Sequence, residues 1–163
     1  MSARSCTGRP QRGFTLTEVA VTLCILAILA ALALPSVSTA LTNQRLRAAG
    51  TDLMSSLLLA RSEAIKRRAI VEVAPLTAGN WSSGWRVTDT NTGEQIDRKD
   101  ALGYRVAVSL APSAIDYGRN GRLTVAGATR LQFSDQDLAS TGMTRCVTID
   151  PSGLPRVQLA SCT

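Results

Sequence analysis

The chain has 163 residues, 18 basic and 12 acidic, with a net charge of +6. It contains no histidine, which removes the commonest general base and zinc ligand and makes a Ser-His-Asp triad impossible. The length allows one modest domain plus an anchor, and two Phe, two Trp and two Tyr leave the core mainly to Val, Leu, Ile and Ala.

At the N-terminus, Arg4, Arg9 and Arg12 precede an uncharged apolar block at 19–34. Without those three arginines the net charge is +3, so the basic balance is partly a targeting feature. With Phe14 and Leu16 the block reaches the roughly 20 residues that a membrane-spanning helix requires. The arginines before it predict a cytoplasmic N-terminus and an exported remainder. A secretory signal peptide cut after Ser38-Thr39-Ala40 is the competing reading. Against it, the apolar stretch is long for a signal core, and Glu18 stands just inside its boundary. An ionisable residue in a membrane segment is a functional hypothesis by default.

Beyond Pro35 the pattern turns amphipathic. Val37, Leu41, Ala48, Leu53, Leu57, Ala60 and Ala64 recur at steps of three, four and seven, with one step of five; this is helical periodicity. One helix is predicted from about residue 14 to about 68, kinked or locally melted at Pro35. Lys66-Arg67-Arg68 complements the dipole at its C-terminal end.

From Ala69 onward short β-type runs alternate with turn residues. Strands are predicted at 70–73, 85–88, 104–108, 122–125, 130–133, 146–149 and 156–159. Asn91-Thr92-Gly93 and Asp150-Pro151-Ser152-Gly153 are turn signals, and the last two strands are predicted to form a hairpin. Cys146 and Cys162 flank that hairpin and read as a disulfide in an oxidising compartment, with two buried free thiols as the alternative. Cys6 precedes the apolar block and Cys24 lies inside it. Asp135 and Asp137 lack a third ligand nearby and read as a solvated loop, and Gly118-Arg119-Asn120-Gly121 reads as a turn. Neither a metal, a cofactor nor an enzymatic activity is expected.

The run Gly13-Phe14-Thr15-Leu16-Thr17-Glu18-Val19, continued by the apolar helix, resembles the processing site of type IV pilins and pseudopilins. Pro35 matches a proline commonly found near the end of their apolar stretch. Two further stretches resemble the GspH/FimT-type subgroup: Ala60 to Val73, ARSEAIKRRAIVEV, and Trp81-x-x-Gly84-Trp85-x-Val87. Together these cover roughly the first half of the chain.

The resemblance implies cleavage between Gly13 and Phe14 by a prepilin peptidase, with methylation of the new terminus. Glu18 would then neutralise the Phe14 amine, within the subunit or on a staggered neighbour. The expected fold class is α+β, the pilin fold: a long N-terminal helix, half membrane-spanning and half amphipathic, packed on an antiparallel β-sheet domain. Its expected parts are a leader at 1–13, a membrane or filament-core helix at 14–36, the amphipathic continuation at 37–68 and a periplasmic β-rich domain at 69–163. The implied function is that of a minor pilin of a type IV pilus, with a pseudopilin of a type II secretion system and a DNA-binding pilin for DNA uptake in natural transformation as the alternatives. Implied partners are other pilin or pseudopilin subunits, the peptidase, the inner-membrane assembly platform and membrane lipid. The expected location is the inner membrane, single-pass, then the filament.

DNA is a third implied partner, since some FimT-like pilins bind it through a G-R-x-R motif. Here Gly153-Leu154-Pro155-Arg156 has Leu154 in place of the first arginine. Arg119, Arg122, Arg130, Arg145 and Arg156 are the candidate contacts, but six arginines stand against four aspartates from Ala101 onward, a weak field for phosphate binding.

Overall fold

The computed structural model describes residues 14–103, 105–136 and 143–162, those at 31–36 by their backbone alone. Residues 1–13, with Cys6 and Gly13, together with Tyr104 and Asp137, lie outside the described residues. Helix α1 spans Leu16–Arg67. It is followed by β1 (Val71–Thr77), β2 (Asn80–Asp89), β3 (Gln95–Lys99), β4 (Val106–Ser109), β5 (Ile115–Tyr117), β6 (Thr129–Asp135), β7 (Thr144–Ile149) and β8 (Pro155–Gln158). The chain divides into two units, one ending at Ser38 and the other running from Thr39 to Thr163.

In the first unit the helix begins with a local device. The Thr15 hydroxyl accepts from the Glu18 amide at 3.2 Å, and the Thr15 carbonyl accepts from the amides of Glu18 and Val19. Thr15 is therefore the N-cap, and Glu18 lies three residues on, in the first turn. This is the spacing of a capping box, which satisfies amide donors that a helix start otherwise leaves orphaned. Val19, Val21, Leu23, Ile25, Leu26, Ile28 and Leu29 are all exposed. A helix apolar on every side requires non-aqueous surroundings. Among the described residues no helix is long and apolar enough to cross a membrane; the side chains described in the apolar block stop at Ala30. The helix passes Pro35 as one element, so the local melting expected there is not found. A proline removes one backbone hydrogen bond and crowds the carbonyl four residues back, a disturbance that a long helix can absorb without ending.

In the second unit the helix buries one stripe, formed by Leu46, Ala49, Leu53, Leu57, Ala60 and Ala64. The steps are three or four residues throughout. This corrects the predicted phase at its start, because Val37, Leu41 and Ala48 are exposed. The five-residue step between Ala48 and Leu53 marked the point where that reading left the true stripe. Two antiparallel four-stranded sheets supply the opposing surface, in the orders β3-β2-β1-β5 and β4-β6-β7-β8. Val71, Val73, Trp81, Trp85, Val87, Tyr117, Leu131, Phe133, Val147 and Ile149 complete the core. At roughly 1.5–3 kcal/mol per fully buried large apolar side chain, this joint core dominates stability.

Several strands differ from expectation. The run at 122–125 is not a strand: it makes one isolated bridge, Leu123 to Tyr117, between Gly121 and Gly127, both at positive φ. β3 and β5 were not predicted. Asp135, read as part of a solvated loop, ends β6 at 2% exposure and is gripped by Arg105 at 3.2 and 3.3 Å. Gly118 to Gly121 is a turn as expected, closed by the Gly121 amide on the Gly118 carbonyl at 2.8 Å. Gly84, in the middle of β2, has φ 92°, and a Cβ there would collide with the backbone of Lys99 and Asp100. Only glycine allows that close approach.

Candidate assembly site and the placement of the arginines

Of the predicted processing and assembly residues, Phe14 just precedes α1, Glu18 lies in its first turn and Pro35 lies within it. Phe14 is 83% exposed, and Glu18 is exposed one turn along the helix. Among the described residues nothing covers either side chain. Residue 14 lies two positions before the first residue of α1, and Glu18 lies in the helix's first turn. Cys24 is free and exposed among the apolar side chains.

At the other end of α1, three carboxylates converge on one cation. Arg67 Nε meets Glu63 at 2.6 Å, and its Nη1 meets Glu94 at 2.6 Å and Asp89 at 3.7 Å. Lys66 holds the other Glu63 oxygen at 3.0 Å. The hydrogen bond from Arg67, then that from Lys66, lowers the Glu63 pKa from its ordinary value. Glu94 and Glu63 in turn raise the Arg67 pKa. Because Asp89 and Glu94 bracket the β2–β3 turn, this group fastens the helix end to the first sheet. Cations matched to the helix dipole were expected here; the cross-element pairing was not. The Glu63–Arg67 spacing of four was the signal available, but Asp89 and Glu94 are distant in sequence.

Cys146 and Cys162 form the expected disulfide, with Cα atoms 5.1 Å apart. The Cys162 amide also donates to Gln132 Oε1 at 3.0 Å, so the C-terminal segment returns to β6. A bridge closing a loop of this size contributes about 3 kcal/mol in the chain-entropy model.

The five candidate arginines do not form one patch. Arg119 and Arg122 are exposed on the turn between β5 and β6. Arg130 on β6 and Arg156 on β8 both stand opposite Thr148 of β7. Those three residues line a shallow polar cleft beside the disulfide, with Asp150 as a further wall. Asp150 takes Arg156 at 3.4 Å, which weakens the cleft's positive field. Arg145 is separate from all of these. It lies on the inner face of the sheet at 7% exposure and donates to Asn43 Oδ1 on α1 at 3.0 Å. It therefore shares no surface with the other four arginines. Alternation along β7 places it beside the core residue Phe133, a consequence of the strand's period that was readable before the fold was known.

A helix apolar at its start and amphipathic after it, feeding two antiparallel sheets that close over its buried stripe, defines the pilin class of fold. Residues 49–153 match the family described as type II transport protein GspH, and residues 8–34 match the prokaryotic N-terminal methylation motif. The first match spans more than half of the chain, and the chain belongs to that family. Among solved structures, the type IV minor pilin FimU of Pseudomonas aeruginosa is similar with a TM-score of 0.60 at 21% identity, over 72% of this chain and 90% of that one. The minor pseudopilin EpsH from the type 2 secretion system of Vibrio cholerae is similar with a TM-score of 0.55 at 14% identity, over 71% and 97%. At these identities the likeness is one of fold. No curated protein matches the chain.

Proposed function

We propose that the chain is a minor pilin, a structural subunit that enters a type IV pilus and serves its assembly. The observation that carries this reading is the union in one chain of an N-terminal methylation motif at 8–34 with a GspH-family region at 49–153. The exposed apolar start of α1 fits it physically. That surface is too hydrophobic to remain in water and is suited first to lipid and then to neighbouring helices. In this reading the leader ends at Gly13, Phe14 becomes the mature terminus, and Glu18 pairs with that terminus or a neighbour's. The segment at 14–36 anchors the subunit in the inner membrane with its leader cytoplasmic, and the β-rich domain is periplasmic. The partners are other pilins, the prepilin peptidase and the assembly platform, and the role is structural rather than catalytic.

A pseudopilin of a type II secretion system is the second reading, supported by the family's description and by the likeness to EpsH. DNA binding has less support, since Arg145 is buried and Arg156 is engaged by Asp150. The deciding experiment is deletion in the native host, with shearing and mass spectrometry of surface filaments. The pilus reading predicts that the chain is present in sheared pili and that the deletion strain is poorly piliated with secretion intact. Normal piliation with loss of secreted enzymes would assign it to the secretion system instead.

A further inference from the structure

Arg145 is a buried cation with too few partners. It projects from β7 toward the helix, in register with the buried Phe133. Its Nη2 donates to one neutral acceptor, Asn43 Oδ1. Its Nε is buried and meets no protein acceptor, and among the described residues no carboxylate pairs with it. A guanidinium cannot shed its charge in a protein. Holding one out of water against a single amide is unfavourable until an anion arrives. The Nη1 atom makes no hydrogen bond yet is not among the buried, unpartnered atoms, so this part of the guanidinium meets the surface. Asn43, which holds Arg145, also lines a shallow dent on α1 with Ala40, Gln44 and Arg47. The dent offers amides and a second guanidinium, and no carboxylate.

We infer that Arg145 and Asn43 form a docking point for a side-chain carboxylate of a neighbouring filament subunit. The inference rests on the filament reading above. Asn43 orients the guanidinium through Nη2, and the Nη1 edge is left to receive the carboxylate. Arg47, four residues after Asn43 on the same helix and lining the same dent, adds positive charge nearby. A planar guanidinium fixed by its packed stem is suited to this, because its donors are pre-oriented and little freedom is lost on pairing.

The test uses the full-length chain in its native host, comparing recovery from sheared filaments at equal membrane level, together with the melting midpoint of the detergent-solubilised protein. Asn43→Asp is the informative variant, because it supplies Arg145 with a carboxylate from within the chain. It should raise the melting midpoint and lower filament recovery about tenfold or more, as removal of a buried charge pair at an interface does. Arg145→Met should lower recovery similarly; if that variant does not accumulate in membranes, Asn43→Asp decides alone. Wild-type recovery of Asn43→Asp would overturn the inference, leaving Arg145 an internal link only. A lowered melting midpoint would overturn it as well, by showing that Arg145 is not short of an anion. Absence of the wild-type chain from all filaments would instead overturn the filament reading on which it rests.

Discussion

Glu18 serves two physical demands that a single substitution to alanine would confound. It sits three residues after the N-cap Thr15, in the first turn of α1, where an acidic residue complements the helix dipole and has the spacing of a capping box. It also stands exposed at the start of an apolar helix, where a carboxylate is suited to neutralise an amine. Glu18→Gln separates these roles, since glutamine keeps the capping geometry and loses the charge. We predict that Glu18→Gln leaves helix content, membrane level and leader cleavage unchanged while reducing recovery from sheared filaments. Equal recovery would confine Glu18 to the local role. The motif itself was readable in the sequence, and so was Thr15-x-x-Glu18. The capping function stood in the same letters but was masked by the stronger family signal.

The end of α1 is governed by the ion cluster around Arg67, which also sets a pH dependence. Glu63 has a lowered pKa in the folded state. Its stabilisation is therefore fully present above the ordinary carboxylate pKa and is lost as pH falls through the lowered folded value. Arg67→Met should lower the melting midpoint at pH 7, where Glu63, Asp89 and Glu94 lose their shared cation. The gap from wild type should narrow as pH drops below about 4, and a gap constant with pH would mean that the loss is one of packing alone. Sequence patterning found α1, the β1 and β2 region and the closing hairpin, because each has either a clear apolar period or a strong turn signal. It missed β3, where only Ile96 of Gln95–Lys99 is apolar: an edge strand is charged on purpose to resist further pairing. It missed β5, which has three residues. It placed a strand at 122–125 because Arg-Leu-Thr-Val alternates, although flanking glycines at positive φ and the absence of a partner ladder override that alternation. Ion pairs between elements distant in sequence, such as Arg105 with Asp135 and Arg67 with Asp89, have no local signal at all.

On the scale of the whole chain, the two units face different requirements. The second, from Thr39, buries its apolar stripe internally and needs no partner to hold its core together. The first, ending at Ser38, leaves its described large apolar side chains exposed, a surface suited to lipid or to other chains. This division is what a subunit delivered through a membrane into a polymer requires, and it makes the mature N-terminus the decisive feature. Cleavage at Gly13 keeps the apolar helix attached to the domain, whereas cleavage after Ala40 discards it. The most direct test is therefore intact-mass and N-terminal peptide analysis of the chain recovered from its native host. A terminus at N-methylated Phe14, in both membranes and sheared filaments, is the predicted result. A terminus at Leu41, with the domain free of the membrane, would contradict the account.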